Sequence, residues 1–292
     1  FEKSKLILFD SQRKTILMIV ENIDPSKRQN GHLLTVKRTV NLTPNMIRVT
    51  LDCPSLKDIE SDRQGAHCKL LFPRSNTSKK DFCKIISIKP SELTIEQRPI
   101  RRTYTVRYFR KDKLEMDIDF VNHGDDGPAS SWARSARPGN FIGLLGPALP
   151  KIKEFYADWY LIAADMSALP VAAATIEAMP KNARGVAIFE ITSEADKQII
   201  KSPPGIQFHW IIHPNPHIPS TAQLSLLKQL EWPSGIIQTC IAGESGLMRQ
   251  IKNYIANEKN LPKTDTYISG YWKIGLVEDE HQLWKNNEAN KI

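Results

Sequence analysis

Two neighbouring stretches carry residue types suited to an anionic, planar ligand. The first is Arg102-Thr103-Tyr104-Thr105-Val106-Arg107, a strand-like run. Side chains alternate faces along a strand, so Arg102 and Tyr104 share one face and Thr103, Thr105 and Arg107 the other. An accessible arginine forks onto phosphate oxygens. A tyrosine beside it stacks on a planar ring. Thr105 offers a hydroxyl or a backbone N–H to a ring nitrogen. Alternation turns Thr105 away from Arg102 and Tyr104, so it shares their ligand only if the strand ends or bulges there. The same six residues also suit an ordinary barrel strand with exposed arginines and a buried tyrosine.

The second stretch is Asp119-Phe120-Val121-Asn122-His123-Gly124, running on to Gly127-Pro128-Ala129-Ser130-Ser131-Trp132. It reads as a strand that breaks into a Gly/Pro turn and then starts a helix. Unpaired N–H groups and a partial positive charge suit a helix start to a pyrophosphate. Ser130 and Ser131 can cap the helix, bind phosphate, or do both. Gly124 lets the backbone come close to a ligand, with His123 beside it. A lone histidine there equally suits a structural hydrogen bond.

The elements that must position these stretches fall into two groups. Leu33–Val40, Met46–Leu51, Ala66–Pro73, Arg101–Arg110, Leu114–Val121 and Phe141–Leu145 read as short strands with frequent turns. They predict a small antiparallel β-barrel of the six-stranded type, interrupted by a helix near 129–136. Residues 74–98 give no clear pattern. Gly146-Pro147-Ala148-Leu149-Pro150 marks a boundary. After it, strands at Trp159–Ala164, Gly185–Thr192, Phe208–Ile212, Ile236–Ala242 and Thr266–Ser269 alternate with helices at Leu169–Met179, Ser220–Leu230 and Gly246–Glu258. That rhythm predicts an open parallel-sheet α/β domain. The expected units are an extension over 1–32, a barrel over 33–150 and the α/β domain over 151–292, with a terminal helix at Val277–Asn287.

Composition narrows the partners. The chain has 292 residues, 41% of them hydrophobic, and a formal net charge of +8. That charge favours an anionic partner. The basic residues are scattered, without a Lys/Arg run interleaved with aromatics, so no nucleic-acid partner is expected. Cys53, Cys68, Cys83 and Cys240 match no zinc spacing and read as reduced, mostly buried thiols of a cytoplasmic protein. No metal site is expected. No apolar run approaches the ~20 residues of a membrane span, and no secretory signal is legible. The chain begins at Phe1, which leaves room for a segment upstream. A monomer is expected, although no residue pattern fixes the oligomeric state.

Seven segments in order make the chain recognisable. They are Leu33-Leu34-Thr35-Val36-Lys37-Arg38-Thr39, His67-Cys68-Lys69-Leu70-Leu71-Phe72-Pro73, Arg102–Arg107, and Asp119–Gly124 with Gly127–Ser130. Then follow Ala164-Asp165-Met166-Ser167-Ala168-Leu169-Pro170, Ala242-Gly243-Glu244 and Ser269-Gly270-Tyr271-Trp272-Lys273-Ile274-Gly275. Over roughly residues 33–280 the chain resembles the siderophore-interacting protein family, flavin-dependent ferric-siderophore reductases of the ferredoxin–NADP reductase superfamily. The resemblance implies a barrel that binds FAD. It assigns Arg102, Tyr104, Thr105, Arg107, Asp119, Val121, His123, Gly127, Ala129 and Ser130 to the flavin. Asp165, Ala168 and Glu244 fall where the reductant-binding domain faces it. Lys69, Arg134 and Lys273 are the candidate cations for an anionic ferric siderophore.

Two departures bear on the electron donor. Met166 stands where the family usually has an acidic residue. No Gly-x-Gly-x-x-Gly follows Trp159–Ala164, so the conventional dinucleotide fingerprint is absent. NADH, NADPH and a reduced ferredoxin all remain open as donors. The expected function is reduction of a bound ferric siderophore by single electrons from the flavin, releasing Fe(II). The alternatives are a flavin reductase for a protein acceptor and a siderophore-binding protein without turnover.

Overall fold

The structure, a computed structural model, describes residues 31–60, 62–124, 127–277, 280, 281 and 284. The expected extension over 1–32, apart from Gly31 and His32 (which opens the first strand), and most of the expected helix Val277–Asn287 lie outside them.

Six antiparallel strands close into a barrel. They are β1 (His32–Thr43), β2 (Met46–Asp52), β3 (His67–Phe72), β4 (Ile100–Arg110), β5 (Glu115–Val121) and β6 (Phe141–Leu145), in the order β1-β2-β5-β4-β3-β6. Strand β5 shows why. Its Met116, Ile118 and Phe120 point inward and are fully buried among Val49, Leu51, Leu70 and Leu144. Its Glu115, Asp117 and Asp119 point outward and are buried too. Strands β1, β2 and β4 supply their counter-charges. Glu115 meets Lys37, Arg38 and Arg110. Asp117 takes Arg110 and the Thr50 hydroxyl. Asp119 takes a two-pronged bond from Arg48 at 2.6 and 2.8 Å. Opposite charges across neighbouring strands pin the register as firmly as the apolar face does. Helix α1 (Lys79–Ile85) lies between β3 and β4, in the stretch where the sequence gives no clear pattern, and Ser78 caps it through the Asp81 N–H. Helix α2 (Pro128–Ser135) connects β5 to β6.

The second unit is a parallel sheet of β7 (Trp159–Asp165), β8 (Arg184–Ile191), β9 (Gly205–Ile212), β10 (Ile237–Glu244) and β11 (Thr266–Trp272), in the order β11-β10-β7-β8-β9. Helix α3 (Leu169–Ala178) is apolar almost all round because it is enclosed between sheet and barrel. Helices α4 (Ala222–Gln229) and α5 (Ser245–Asn257) cover the other face with Leu227, Leu247 and Ile251. Both predicted architectures are therefore present, and β9 and β11 extend beyond the runs legible in sequence.

Two polar clamps hold the barrel to the α/β unit. Asp196, fully buried, accepts from the Thr43 hydroxyl and from the Asn45 backbone and amide at 2.8–3.0 Å. Arg107 forks onto Glu177 of α3 at 2.7 and 2.6 Å, and the Tyr108 hydroxyl donates to the same carboxylate. Among the described cysteines, Cys68 and Cys240 are buried, and burial pushes their thiols up to about 12 and about 11. Cys83 is exposed, against the expectation of mostly buried thiols. Among the described residues no helix is long and apolar enough to cross a membrane.

Two consequences are measurable. Arg107→Ala leaves Glu177 without its fork, and urea melts of flavin-free protein should show a loss of about 3 kcal/mol; an unchanged midpoint would remove Arg107 from the clamp. The bond from Lys37, helped by Arg38 and Arg110, holds Glu115 down from 4.5 to about 2. The stability it contributes is complete above 4.5 and is lost as pH falls from there to about 2. Between about pH 6 and about pH 3 the urea midpoint of wild type should therefore fall further than that of Glu115→Gln.

Candidate functional site

A cleft of about 1000 Å³ runs between the barrel and the carboxyl ends of the parallel strands. Its barrel wall comes from a parting of two strands. Strand β4 pairs with β5 only from Val106 to Arg110, against Ile118 to Glu115. Over Ile100–Thr105 it pairs with β3 alone, and over Asp119–Val121 strand β5 pairs with β2 alone. A register shift between Val106 and Tyr108 sits where the two strands separate. A bulge of this kind bends the strand and turns one side chain off its face. That side chain is Arg107.

The parting answers the question of alternation. Arg102, Thr103, Tyr104 and Thr105 all line the cleft, although successive side chains point to opposite faces. The ligand space wraps the edge of β4 instead of lying on one face. Tyr104 packs on Phe120 of the barrel core at a tilt of 43°, with ring centroids 4.5 Å apart. Thr105 is buried and lines the same cleft as Tyr271.

The facing edge carries Asp119, Val121 and His123, followed by Gly127, Pro128, Ala129 and Ser130 at the start of α2. Gly127 has φ +99, a conformation that favours glycine, and no side chain caps the helix. The first N–H groups of α2 are thus presented to the cleft with the positive end of the helix. Ser130 does not cap. It is buried, and its hydroxyl donates to the Gly124 carbonyl at 2.8 Å and accepts from the His123 N–H. It holds the turn in shape.

The α/β wall is acidic. Strand order reverses between β7 and β10, the crevice where open α/β sheets take ligands. Asp165 ends β7 and Glu244 ends β10. Asp165 is half-buried, and desolvation pushes its carboxyl up, opposed by bonds from Ser167, the Trp272 indole and the Ala168 N–H. A Cβ at Gly243 would lie 2.7 Å from its Oδ2, so the carboxylate fills the space that glycine leaves. Glu244 caps α5 through the Leu247 N–H.

Cations gather on the barrel side: Lys69, Arg102 and Lys151 line the cleft with His67. Lys69 bonds the Thr103 hydroxyl. Burial lowers the His67 pKa, and the charges of Lys151 and Lys69 lower it further, so its ring is neutral at neutral pH. Among the described residues no group of three or more His, Cys, Asp or Glu side chains is arranged to hold a metal ion.

Four sequence candidates stand elsewhere. Arg107 is committed to Glu177, with its charge 4.1 Å over the Tyr108 ring. Ala168 is buried under the start of α3. Arg134 is exposed on α2, off the cleft wall. Lys273 lies over the Trp284 ring at 4.7 Å, also off the wall. Asp119 is at the wall, but its carboxylate is spent on Arg48, and burial raises it despite that partner. Lys151, Glu190 and Gln223 line the cleft without having been picked from the sequence. They come from a linker, a strand end and a helix, and no spacing joins them.

Comparison with known proteins places the chain in a family. Residues 35–151 match the model of the siderophore-interacting FAD-binding domain, and residues 157–275 that of the siderophore-interacting protein. The chain belongs to the siderophore-interacting protein family. It is 32% identical over 260 residues to the ferric vibriobactin reductase ViuB of Vibrio cholerae, covering 87% of this chain and 94% of that one. It is 30% identical over 189 residues to the ferric acinetobactin reductase of Acinetobacter baumannii, 63% of this chain and 65% of that one. The crystal structure of the siderophore-interacting protein SipS from Aeromonas hydrophila superposes with a TM-score of 0.76 at 30% identity, over 89% of this chain and 98% of that one. The barrel is thus an FAD-binding domain by family.

The residues present fit FAD. A parted strand pair admits a planar ring, and a bare helix start and Arg102 suit the pyrophosphate. Arg102→Ala should weaken FAD retention about tenfold or more, the worth of one charge-assisted phosphate contact. Flavin absorbance per protein after gel filtration measures it, and unchanged stoichiometry would count against the assignment.

Proposed function

We propose that this chain is a cytoplasmic FAD-dependent reductase that moves single electrons to a bound ferric siderophore and releases Fe(II). The reading rests on one observation above all: a cationic patch of Lys69, Arg102 and Lys151 borders the parting of β4 and β5 in a chain 32% identical to a ferric vibriobactin reductase. When bound, FAD supplies the redox chemistry, accepting electrons from a nicotinamide nucleotide or a reduced ferredoxin and delivering them singly.

The chain's own residues place and polarise. Arg102 and the N–H groups of Gly127, Ala129 and Ser130 would hold the pyrophosphate, with His123 beside them. Tyr104 and Thr105 border the ring. Asp165 and Glu244 shape the crevice on the donor side. Lys69 and Lys151 attract an anionic ferric chelate and stabilise the encounter. Electron transfer between touching groups needs no proton from the chain, so no acid or base is assigned. Fe(II) leaves because hard oxygen ligands hold it less tightly than Fe(III). Arg134 and Lys273, off the cleft wall, are proposed only as contacts for parts of a siderophore that project beyond it.

Lys69→Ala should raise KM for an anionic ferric chelate several-fold and leave FAD content unchanged. A ferrous-iron trap reads the rate, and titration into oxidised protein reads the affinity. Loss of FAD instead would move Lys69 from substrate to cofactor. If FAD-loaded wild type, chemically reduced, yields no trapped Fe(II) above free reduced flavin, the reductase reading fails.

A further inference from the structure

The α/β half of the cleft differs in charge from the barrel half. From Asp165 onward, its described lining residues include no lysine or arginine, while Asp165, Glu190 and Glu244 supply three carboxylates. Two helix starts on this half are already occupied by the chain's own carboxylates. Asp165 Oδ1 accepts the N–H groups of Ser167 and Ala168 at the start of α3, at 2.9 and 3.2 Å. Glu244 Oε2 accepts that of Leu247 in α5 at 2.9 Å. Neither of these two helix starts is open to an added phosphate.

It does offer hydroxyl partners. Glu190 stands near the carboxyl end of β8, the strand next to β7, and is paired in register with Asp165. Its Oε2 accepts from the Ser220 hydroxyl at 2.7 Å. One turn further, Gln223 is fully buried and lines the same cleft, and both its amide oxygen and its nitrogen have no hydrogen-bond partner. A buried amide left in that state is costly unless a ligand or water completes it. An amide that can donate and accept, beside a carboxylate that accepts, matches a vicinal diol. In nucleotide-binding α/β sheets an acidic side chain at this kind of strand end takes the ribose 2′-hydroxyl, whereas a 2′-phosphate needs a cation there. The basic side chains nearby are His213 and His217, and His213 already uses Nε2 on the Ile218 carbonyl at 2.9 Å.

We propose that this half of the cleft takes a nicotinamide dinucleotide whose ribose diol is free, so that the donor is NADH and not NADPH, with Glu190 as the specificity-determining residue and Gln223 as its partner on the diol. The assignment rests on the flavin-reductase reading above. One NADH gives up a hydride and becomes NAD⁺. The two electrons of that hydride reduce two Fe(III) to two Fe(II), and its proton passes to solvent.

The test uses FAD-loaded protein. Rates of flavin bleaching under anaerobic conditions are measured with NADH and NADPH, together with calorimetric titrations of ADP-ribose and its 2′-phosphorylated form. Wild type should favour NADH by at least about tenfold in kcat/KM, the scale of one phosphate placed against a carboxylate, and bind only ADP-ribose measurably. Glu190→Gln removes the charge and keeps the shape. It should lower KM for NADPH, leave kcat in place, and bring the two titrations to within a few-fold of each other. Gln223→Leu should weaken ADP-ribose and leave FAD content unchanged. Equal use of both donors, a preference for NADPH, or an unchanged ratio in Glu190→Gln overturns the proposal. So does bleaching by neither, and if chemically reduced protein then still reduces the ferric chelate, the reductase reading survives alone. Bleaching by NADH with no transfer to the chelate does the reverse: the donor assignment stands and the reductase reading falls.

Discussion

The separation of β4 from β5 on the N-terminal side of Val106 is the constraint on which the rest of the molecule depends. From Val106 to Arg110 strand β4 shares a ladder with β5; over Ile100–Thr105 and Asp119–Val121 each strand keeps a partner on its far side only. A closed barrel has no spare edges, so a gap in it survives only if something else holds the two sides apart. Here the bulge at the parting turns Arg107 outward onto Glu177 of α3. Arg48 fixes Asp119 on the opposite edge. The irregularity that opens the barrel is therefore also the one that fastens it to the α/β unit. This couples the shape of the gap to the seating of the second domain.

Charge then divides the cleft. The barrel side carries Lys69, Arg102 and Lys151, and the α/β side carries Asp165, Glu190 and Glu244. The net charge of +8 points to anionic partners but not to where they bind. The fold sorts the cations to the wall where a pyrophosphate and an anionic iron chelate would meet, and leaves the opposite wall to hydroxyl-bearing groups. Two walls of one sign would make one ligand's approach exclude the other's; opposite walls let two ligands of different character share a crevice.

Much of this was legible in the residues. Strand β5 alternates cleanly, and its inward and outward faces are those its pattern demands. The Gly127-Pro128 turn into α2 announced itself through a glycine and a proline at the helix start. What was not legible has a physical cause in each case. Helix α1 is a single short amphipathic turn or two after a polar run, too short for a period to show. Alternation put Thr105 away from Arg102, because a strand pattern carries no record of where its neighbour leaves. Arg107 reads like a phosphate ligand, and only the bulge shows that it faces a carboxylate from another domain. Glu190 and Gln223 are remote in sequence from every motif; a parallel sheet brings their strand end and helix together, and one buried unpartnered amide is visible only in three dimensions.

The most direct measurement is a crystal structure of the FAD-loaded protein. The isoalloxazine should lie along Thr103–Thr105 in the gap between β4 and β5, with the pyrophosphate on Arg102 and the start of α2, and with Lys69 and Lys151 left facing open cleft above the ring. A flavin seated elsewhere, or a β4–β5 ladder that closes through Thr105 and Asp119, would contradict the central claim.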